Sequence, residues 1–363
     1  MSRALVERRV NELVRRSHAG LDAVALRTEI VHRLRGIVTL DAVFFATVDP
    51  RTLLFTSGWS DAPLDEVASL FLANEYGSDD VNKFADIARA PTAARSLDMA
   101  THGDRELSAR YREIMAPLGL GDELRVALRS HGAVWGVLCL HRGVAAAGFS
   151  AREIGTVVSL APHLGTGLRH AIVLDAAVRG TQRQRVGLVV LDAVTLAVES
   201  VNEAGVQLLD ALRQPSTDRL ADTPSIVEAV ARRAVADGAN GEPVVPLVRC
   251  RGSDGTWLVI HASVLTRVDG PEQVAVVIEP ASPADLGSFV LDAVGLTARE
   301  RAVAELVLRG DSTRQIVNEL RISPHTVQDH LKRVFAKVGV SSRRELVATL
   351  QGPASQHPGS RRP

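Results

Sequence analysis

Between Thr297 and Leu350 the chain states one local grammar four times, and no other stretch limits its fold so tightly. A Ser or Thr precedes a run with apolar residues at helical spacing, and three times a Glu or Gln stands three residues further on: Thr297-x-x-Glu300, Ser312-x-x-Gln315 and Ser342-x-x-Glu345. In such a capping box each side chain satisfies the other residue's backbone N–H. The remaining start is Ser323-Pro324, a cap followed by a proline suited to the first turn, and Gly310 and Gly339 are placed to end helices.

Each helix carries an apolar stripe. Val303, Ala304, Leu306 and Val307 form the first, Ile316, Val317 and Leu320 the second, and Leu346, Val347 and Leu350 the last. In the third, turns of about 100° per residue gather Val327, Leu331, Val334, Phe335 and Val338 on one face. Its other face carries His325, Asp329, Lys332, Arg333 and Ala336, with Thr326 and Gln328 along the edges. Alone, that pattern reads as a solvated surface helix. Its neighbours change the reading: only Arg321 and Ile322 separate the second helix from the cap of the third, which is helix-turn-helix spacing on a small bundle.

The chain of 363 residues is too long for one ordinary domain, at about 100–200 residues each. Its 42 Lys and Arg balance 42 Asp and Glu, which excludes a uniformly basic nucleic-acid-coating protein but not a local patch. Gly287 to Leu350 holds ten basic against seven acidic residues, and Arg361 and Arg362 follow. Cys139 and Cys250 lie far apart in what read as strands of different domains, so neither a disulfide framework nor a CxxC metal site is available, which suggests a reducing compartment. The start, MSRALVERRVNELVRR, is charged and periodic, unlike a signal peptide, and no apolar run approaches the ~20 residues needed to span a bilayer. The expectation is a cytoplasmic protein without a membrane partner.

The organisation expected is a helical leader over 1–19, a first domain over 20–172, a connecting helix or linker over 173–185, a second domain over 186–280, a linker over 281–290 marked by Pro280 and Pro283, the helical domain over 291–351, and a disordered tail over 352–363. In the first domain a helix gives way to the strands DAVFFATVD and RTLLFTS, a Gly-punctuated helical middle, and a hairpin of ELRVALRS and AVWGVLCLHR around His131-Gly132. Ser150 with Glu153 opens a closing helix. In this layout, and most closely in the hairpin with Trp135-Gly136, the region resembles a GAF sensory domain. That resemblance implies an α/β fold whose helices and sheet enclose a pocket, either for a small-molecule ligand or filled by side chains. The second domain opens on VGLVVLD, continues through VNEAGVQLLDAL and PSIVEAVARRAVAD, and ends in three strands, the first two around Ser253-Asp254-Gly255. Its order resembles a PAS-like antiparallel-sheet domain. The fold class expected is therefore multidomain α+β with an all-α, four-helix C-terminus.

Other possible sites fail on chemistry. Asn82-Lys83-Phe84 with Asp86 resembles part of the set used by cyclic-nucleotide-binding GAF domains, but those residues are more dispersed in that family, so an ordinary helix start is the better reading. Cys139 and His141 share a strand face, and with His131 and His163 suggest a cluster, but a closed zinc site needs four ligands. A buried Cys and a satisfied His are expected there, with no metal and no cofactor. The flanks of Cys250, LVRCRGS, match no ligation motif. GxSxG, the phosphate-binding G-x-x-x-x-G-K-[ST] and HExxH are all absent, so no enzyme is expected.

The C-terminal motifs Leu-Thr-x-Arg-Glu, Gly-x-Ser, Ile-Ser-x-x-Thr-Val with His330, and Lys337-Val-Gly-Val followed by Ser-Arg resemble the LuxR-type DNA-binding domain over Leu296 to Val347. Where that family commonly has Glu-Ile-Ala this chain has Gln315-Ile316-Val317, and a common Lys is replaced by Gln328. The resemblance implies that the third helix enters the major groove and offers positions 328, 329 and 332 to base edges. Gln can pair with adenine, Asp can accept from cytosine, and Lys can donate to guanine. Asp329 repels phosphate, so it must read a base or orient Lys332 or Arg333. The DNA-binding set so implied is Arg314, Ser323, His325, Thr326, Gln328, Asp329, Lys332, Arg333, Lys337, Arg343 and Arg344, with the basic residues as backbone contacts. The partners implied are double-stranded promoter DNA, a second copy of the chain through the last helix, and RNA polymerase. Control by aspartyl phosphorylation is not expected, because no receiver domain is read before the helices. The alternative is a signalling adaptor whose helix-turn-helix has lost DNA binding. A sigma-factor region, which also ends in a helix-turn-helix, requires a promoter-melting helical region where this chain reads as strands.

Overall fold

The computed structural model describes residues 3–178, 186–214, 217–218, 222–239, 245–265 and 272–351. The chain forms two compact units, Met1–Pro280 and Ala281–Pro363.

The first unit begins with α1 (Arg3–Ser17) and α2 (Ala23–Leu34), the latter capped by Asp22 accepting from the Ala25 N–H. Then come β1 (Ala42–Val48), β2 (Phe55–Ser60), α3 (Ala68–Gly77), α4 (Phe84–Arg89), β3 (Ala94–Ser96), α5 (Leu97–Ala100), short helical turns within 105–118, β4 (Leu120–Ser130), β5 (Ala133–Gly143) and α6 (Ala151–Val178). The strands pair antiparallel in the order β2-β1-β5-β4-β3. The β4–β5 hairpin turns at His131 (φ +51°) and Gly132 (φ +81°), the left-handed pair a two-residue turn requires. Ser150 and Glu153 form the expected reciprocal cap of α6.

Alternation along the hairpin gives the sheet two buried faces. Leu124, Val126, Leu138 and Leu140 point one way, and Glu123, Arg125, Cys139 and His141 the other. The second face meets α3 and α4, where Phe44, Phe55, Phe71 and Phe84 pack in tilted, stacked and edge-to-face pairs, and the Arg125 guanidinium lies over the Phe71 and Phe84 rings. These groups nearly fill the pocket. What remains is a crevice of about 30 Å³, room on the order of two waters.

After α6 the unit continues with β6 (Gly187–Asp192), β7 (Val198–Val201), α7 (Glu203–Leu212), α8 (Ser225–Ala239), β8 (Leu247–Arg251), β9 (Trp257–Leu265) and β10 (Gln273–Pro280). The order β7-β6-β10-β9-β8 repeats that of the first sheet: second, first, fifth, fourth, third in chain order. Strand β7 carries no sequence signal, because its four residues VESV are all exposed and show no apolar face. The two sheets share one unit: α8 packs against both α3 and β9, and buried Asp49, just after β1, accepts from the Arg249 guanidinium at 2.9 Å and its backbone N–H at 3.1 Å.

Two expected segments differ. Helix α6 runs through residue 172 to Val178; the rest of the expected connector, 179–185, and the tail 352–363 lie outside the described residues. The expected linker over 281–290 is instead mostly α9 (Pro283–Ala293), opened by a capping box between Ser282 and Asp285. Pro283 sits at the first helical position, where its missing N–H costs nothing, so the proline pair marks a helix start.

The second unit adds α10 (Ala298–Leu308), α11 (Thr313–Leu320), α12 (Pro324–Val338) and α13 (Arg343–Gln351). Leu291, Val303, Ile316, Val327, Leu331, Val334 and Leu346 make one core, so α9 joins the expected four helices as a fifth, lying against α13. Among the described residues, no helix of the protein is long and apolar enough to cross a membrane.

Candidate nucleic-acid interface

The expected caps set the geometry of the helix-turn-helix. Thr297 and Glu300 close a capping box on α10, and Ser312 and Gln315 close one on α11. Ser323 Oγ accepts from the Thr326 N–H at 3.1 Å and lies 2.8 Å from Thr326 Oγ1, starting α12. At α13 the box slips by one residue: Ser342 Oγ caps the Glu345 N–H at 3.1 Å, but the Glu345 carboxylate reaches back to the N–H and hydroxyl of Ser341 at 2.8 and 2.6 Å. Tandem serines offer two donors, and the carboxylate takes the farther one.

Between α11 and α12 the chain reverses at Arg321, which adopts the left-handed conformation at φ +52°, and the Ile322 N–H returns to the Val317 carbonyl at 3.3 Å. The turn fixes how α12 stands on α11. Val327, Leu331 and Val334 are buried with Phe335 and Val338 partly so, which leaves the expected polar face outward.

On that face Gln328, Lys332 and Arg333 are exposed, as are Arg314 on α11 and Arg344 on α13. None of these four cations has a carboxylate partner among the described residues. Two other expected contacts are engaged within the bundle. Lys337 Nζ donates to Glu300 Oε2 at 2.6 Å and to the Gly295 carbonyl at 3.0 Å, tying the end of α12 to the start of α10. Burial alone would raise the Glu300 carboxyl, but the hydrogen bonds from Lys337 and Thr297 outweigh it and hold its pKa below the ordinary value. Arg343 donates to the Asp311 carbonyl, bracing α13 against the turn before α11.

The sequence leaves Asp329 either to read a base or to orient Lys332 or Arg333. Its carboxylate instead lies 3.3 Å from His325 Nδ1, one helical turn back. Both side chains are accessible, so the contact leaves Asp329 on the outer face. His330, named in the motif but not as a contact, is half-buried with Nδ1 unpartnered.

A second polar constellation, which sequence reasoning missed, is buried between the first sheet and α3. Glu123 accepts from Arg110 Nε and Nη2 at 2.9 and 2.8 Å and from Arg125 Nε at 3.1 Å; Arg125 also reaches Glu75 at 2.6 Å. The Arg110 backbone N–H donates to Asp80 at 2.7 Å. Although burial raises the Glu123 carboxyl, the two guanidinium groups hold it well below the usual carboxylate range. Burial pushes His141 down to about 4, so its ring is neutral, and pushes the Cys139 thiol up. The signal was legible: the E-x-R pattern of ELRVALRS puts two charges on the strand face that should be apolar.

Comparison with known families agrees with this geometry. Residues 294–350 match the model for bacterial regulatory proteins of the luxR family, and residues 14–168 match the GAF domain. The chain is 42% identical over 55 residues to the spore germination protein GerE of Bacillus subtilis, covering 15% of this chain and 74% of that protein. This chain belongs to the LuxR family of bacterial regulatory proteins. It also resembles the monoamine regulon transcriptional regulator of Klebsiella aerogenes, at 44% identity over 61 residues, or 17% of this chain and 27% of that protein. The chain thus spans about a quarter of that relative's length. Among solved structures, the GAF domain of an Acinetobacter phosphoenolpyruvate-protein phosphotransferase covers 50% of this chain and 100% of its own, at 15% identity and a TM-score of 0.35. It is the family match over residues 14–168 that makes the first domain of this LuxR-family chain a GAF domain.

Proposed function

We propose that this protein is a sequence-specific transcriptional regulator whose C-terminal helix-turn-helix binds double-stranded promoter DNA, under the control of the two domains that precede it. The observation that carries this reading is the outer face of α12: Gln328, Lys332 and Arg333 stand exposed on a helix held at both ends, with neither cation neutralised by a carboxylate among the described residues. Gln328 suits adenine, Lys332 suits guanine O6 or N7, and Asp329 suits cytosine N4. Arg314, Arg333 and Arg344, with the hydroxyls of Ser323 and Thr326 at the α12 N-terminus, suit phosphate, since a helix N-terminus favours anions. His325 serves by holding Asp329. Lys337 and Arg343 act by bracing the bundle rather than by touching DNA.

The regulatory names of the relatives support the same role. In this reading the GAF domain and a PAS-like second domain sense a signal in the cytoplasm without catalysing a reaction. The last helix, α13, provides the homodimer contact, and RNA polymerase is the downstream partner. A dimer of this kind reads palindromic half-sites about one helical turn apart or a multiple of it. Selection of duplexes bound by the full chain from a random library tests the proposal. Enrichment of a palindrome is expected; a pool that stays random after repeated rounds refutes it and leaves the adaptor reading.

A further inference from the structure

Cross-strand register, rather than sequence spacing, assembles an unused donor set inside the GAF domain. Glu123 on β4 is directly opposite His141 on β5, Arg125 is opposite Cys139, and all four side chains share the face toward α3. A carboxylate oxygen of Glu123, the Cys139 sulfur and a His141 ring nitrogen lie within 4.8 Å of one another, and all three residues are buried. Bonds of ~2.0–2.3 Å around a tetrahedral ion put donors ~3.3–3.8 Å apart, so side-chain rotations closing about 1 Å complete the set.

Two observations mark this as more than a chance grouping. His141 is 2% exposed, yet neither of its ring nitrogens has a hydrogen-bond partner among the described residues. A neutral imidazole buried without a partner is costly, and it is the form that ligates a metal. Glu123 has also been left one free position. Oε2 takes both contacts from Arg110, whereas Oε1 takes a single 3.1 Å bond from Arg125 and lies 4.0 Å from His141 Nε2. A carboxylate has about four lone-pair positions, and the fourth faces the imidazole. The charge balance permits a cation: Glu75, Asp80 and Glu123 meet Arg110 and Arg125, while the Lys83 ammonium turns to the Asn74 and Ser78 carbonyls at the edge.

We propose that Glu123, Cys139 and His141 bind one divalent transition-metal ion of the zinc class, with a fourth coordination position open toward the crevice. One thiolate, one imidazole and one carboxylate suit a borderline ion and disfavour calcium and magnesium. On binding, the Cys139 thiol gives its proton to solvent and its sulfur bonds the metal. His141 and Arg110 both border the crevice, so a water or a small neutral molecule can take the open position. Three protein ligands with one open position is the arrangement of a reactive or sensing centre, whereas purely structural sites are closed.

Cobalt(II) is the probe. The full chain, stripped with a chelator, is titrated with Co2+ alone and then with Zn2+. A saturable thiolate-to-cobalt charge-transfer band at one equivalent, displaced by Zn2+, is expected. Cys139→Ser should abolish the band, His141→Gln should weaken Co2+ binding at least ~10-fold, and Cys250→Ser should change neither. X-ray absorption of the cobalt-loaded wild type, which does not depend on any variant folding, should show one sulfur among nitrogen and oxygen neighbours. A wild-type chain with no saturable band, or a cobalt shell without sulfur, overturns the proposal. DNA takes no part, so the outcome is independent of the regulator reading.

Discussion

The Lys337–Glu300 contact separates bracing from DNA contact, and its strength can be worked from the geometry. Lys337 Nζ sits 2.6 Å from a carboxylate on a 3% exposed side chain, and its own side chain is 35% exposed. A hydrogen bond to a charged group contributes about 1.5–3 kcal/mol. Solvent screening at the lysine end places this one near the lower limit. Lys337→Met should therefore destabilise the fragment Ala281–Gln351 by about 1.5–2 kcal/mol at pH 7, and a cycle with Glu300→Gln should return a coupling near 1 kcal/mol. The pH dependence has a definite sign. The folded Glu300 pKa is depressed, so its contribution is complete above the unfolded carboxyl pKa of about 4.3 and is lost as pH falls through the lower folded value. In Lys337→Met the burial that opposes ionisation loses its main counterweight, the carboxyl protonates more readily, and the wild-type and variant stabilities should converge in acid. Urea unfolding followed by far-ultraviolet circular dichroism at pH 7 and pH 3 provides the measurement. An equal penalty at both pH values, or a coupling below about 0.3 kcal/mol, would show that Lys337 does not brace Glu300.

Other expectations follow from single contacts. Gly339 ends α12 at φ +81°, and nothing lies within 4 Å of where a side-chain methyl would sit, so Gly339→Ala should cost about 1–2 kcal/mol in the same urea assay, from conformation alone. Ser323→Ala removes the α12 cap and should cost about 1 kcal/mol, with weaker DNA binding when assayed by fluorescence anisotropy. Arg110→Met leaves Glu123 and Asp80 buried with one guanidinium fewer, and should destabilise the GAF domain by about 3–5 kcal/mol, read from tryptophan fluorescence, to which buried Trp135 contributes, during unfolding.

The helical domain was legible because its signals are local. Caps, a proline at a first turn and apolar stripes act within a few residues, and α10 to α13 form where those signals stand. The same chemistry misleads at Ser282-Pro283, where a proline pair suggests a linker although the cap and first-turn proline of α9 are in view. The slipped box at Ser341 and Ser342 turns on which of two adjacent serines a carboxylate reaches, which sequence alone leaves undecided. Non-local features are harder. The pairing of Glu123 with His141 depends on hairpin register, so Cys139 and His141 read as two ligands when the fold supplies a third. On α12 and α13, periodicity identifies which side chains point outward, but not that Lys337 and Arg343 bend back onto the bundle or that His325 takes Asp329.

The claim on which the rest depends is that α12 meets DNA with its outer face. Binding of the full chain to a selected duplex, measured across a range of salt concentrations for wild type, Lys332→Ala, Arg333→Ala and Lys337→Met, tests it directly. Loss of a phosphate contact should flatten the log–log salt dependence by about 0.9 for Arg333→Ala. Lys332→Ala should relax base preference at a cost of about 1–3 kcal/mol, and Lys337→Met should leave the slope unchanged. Wild type and the Lys332 and Arg333 variants binding equally, with the same slope, would contradict the account.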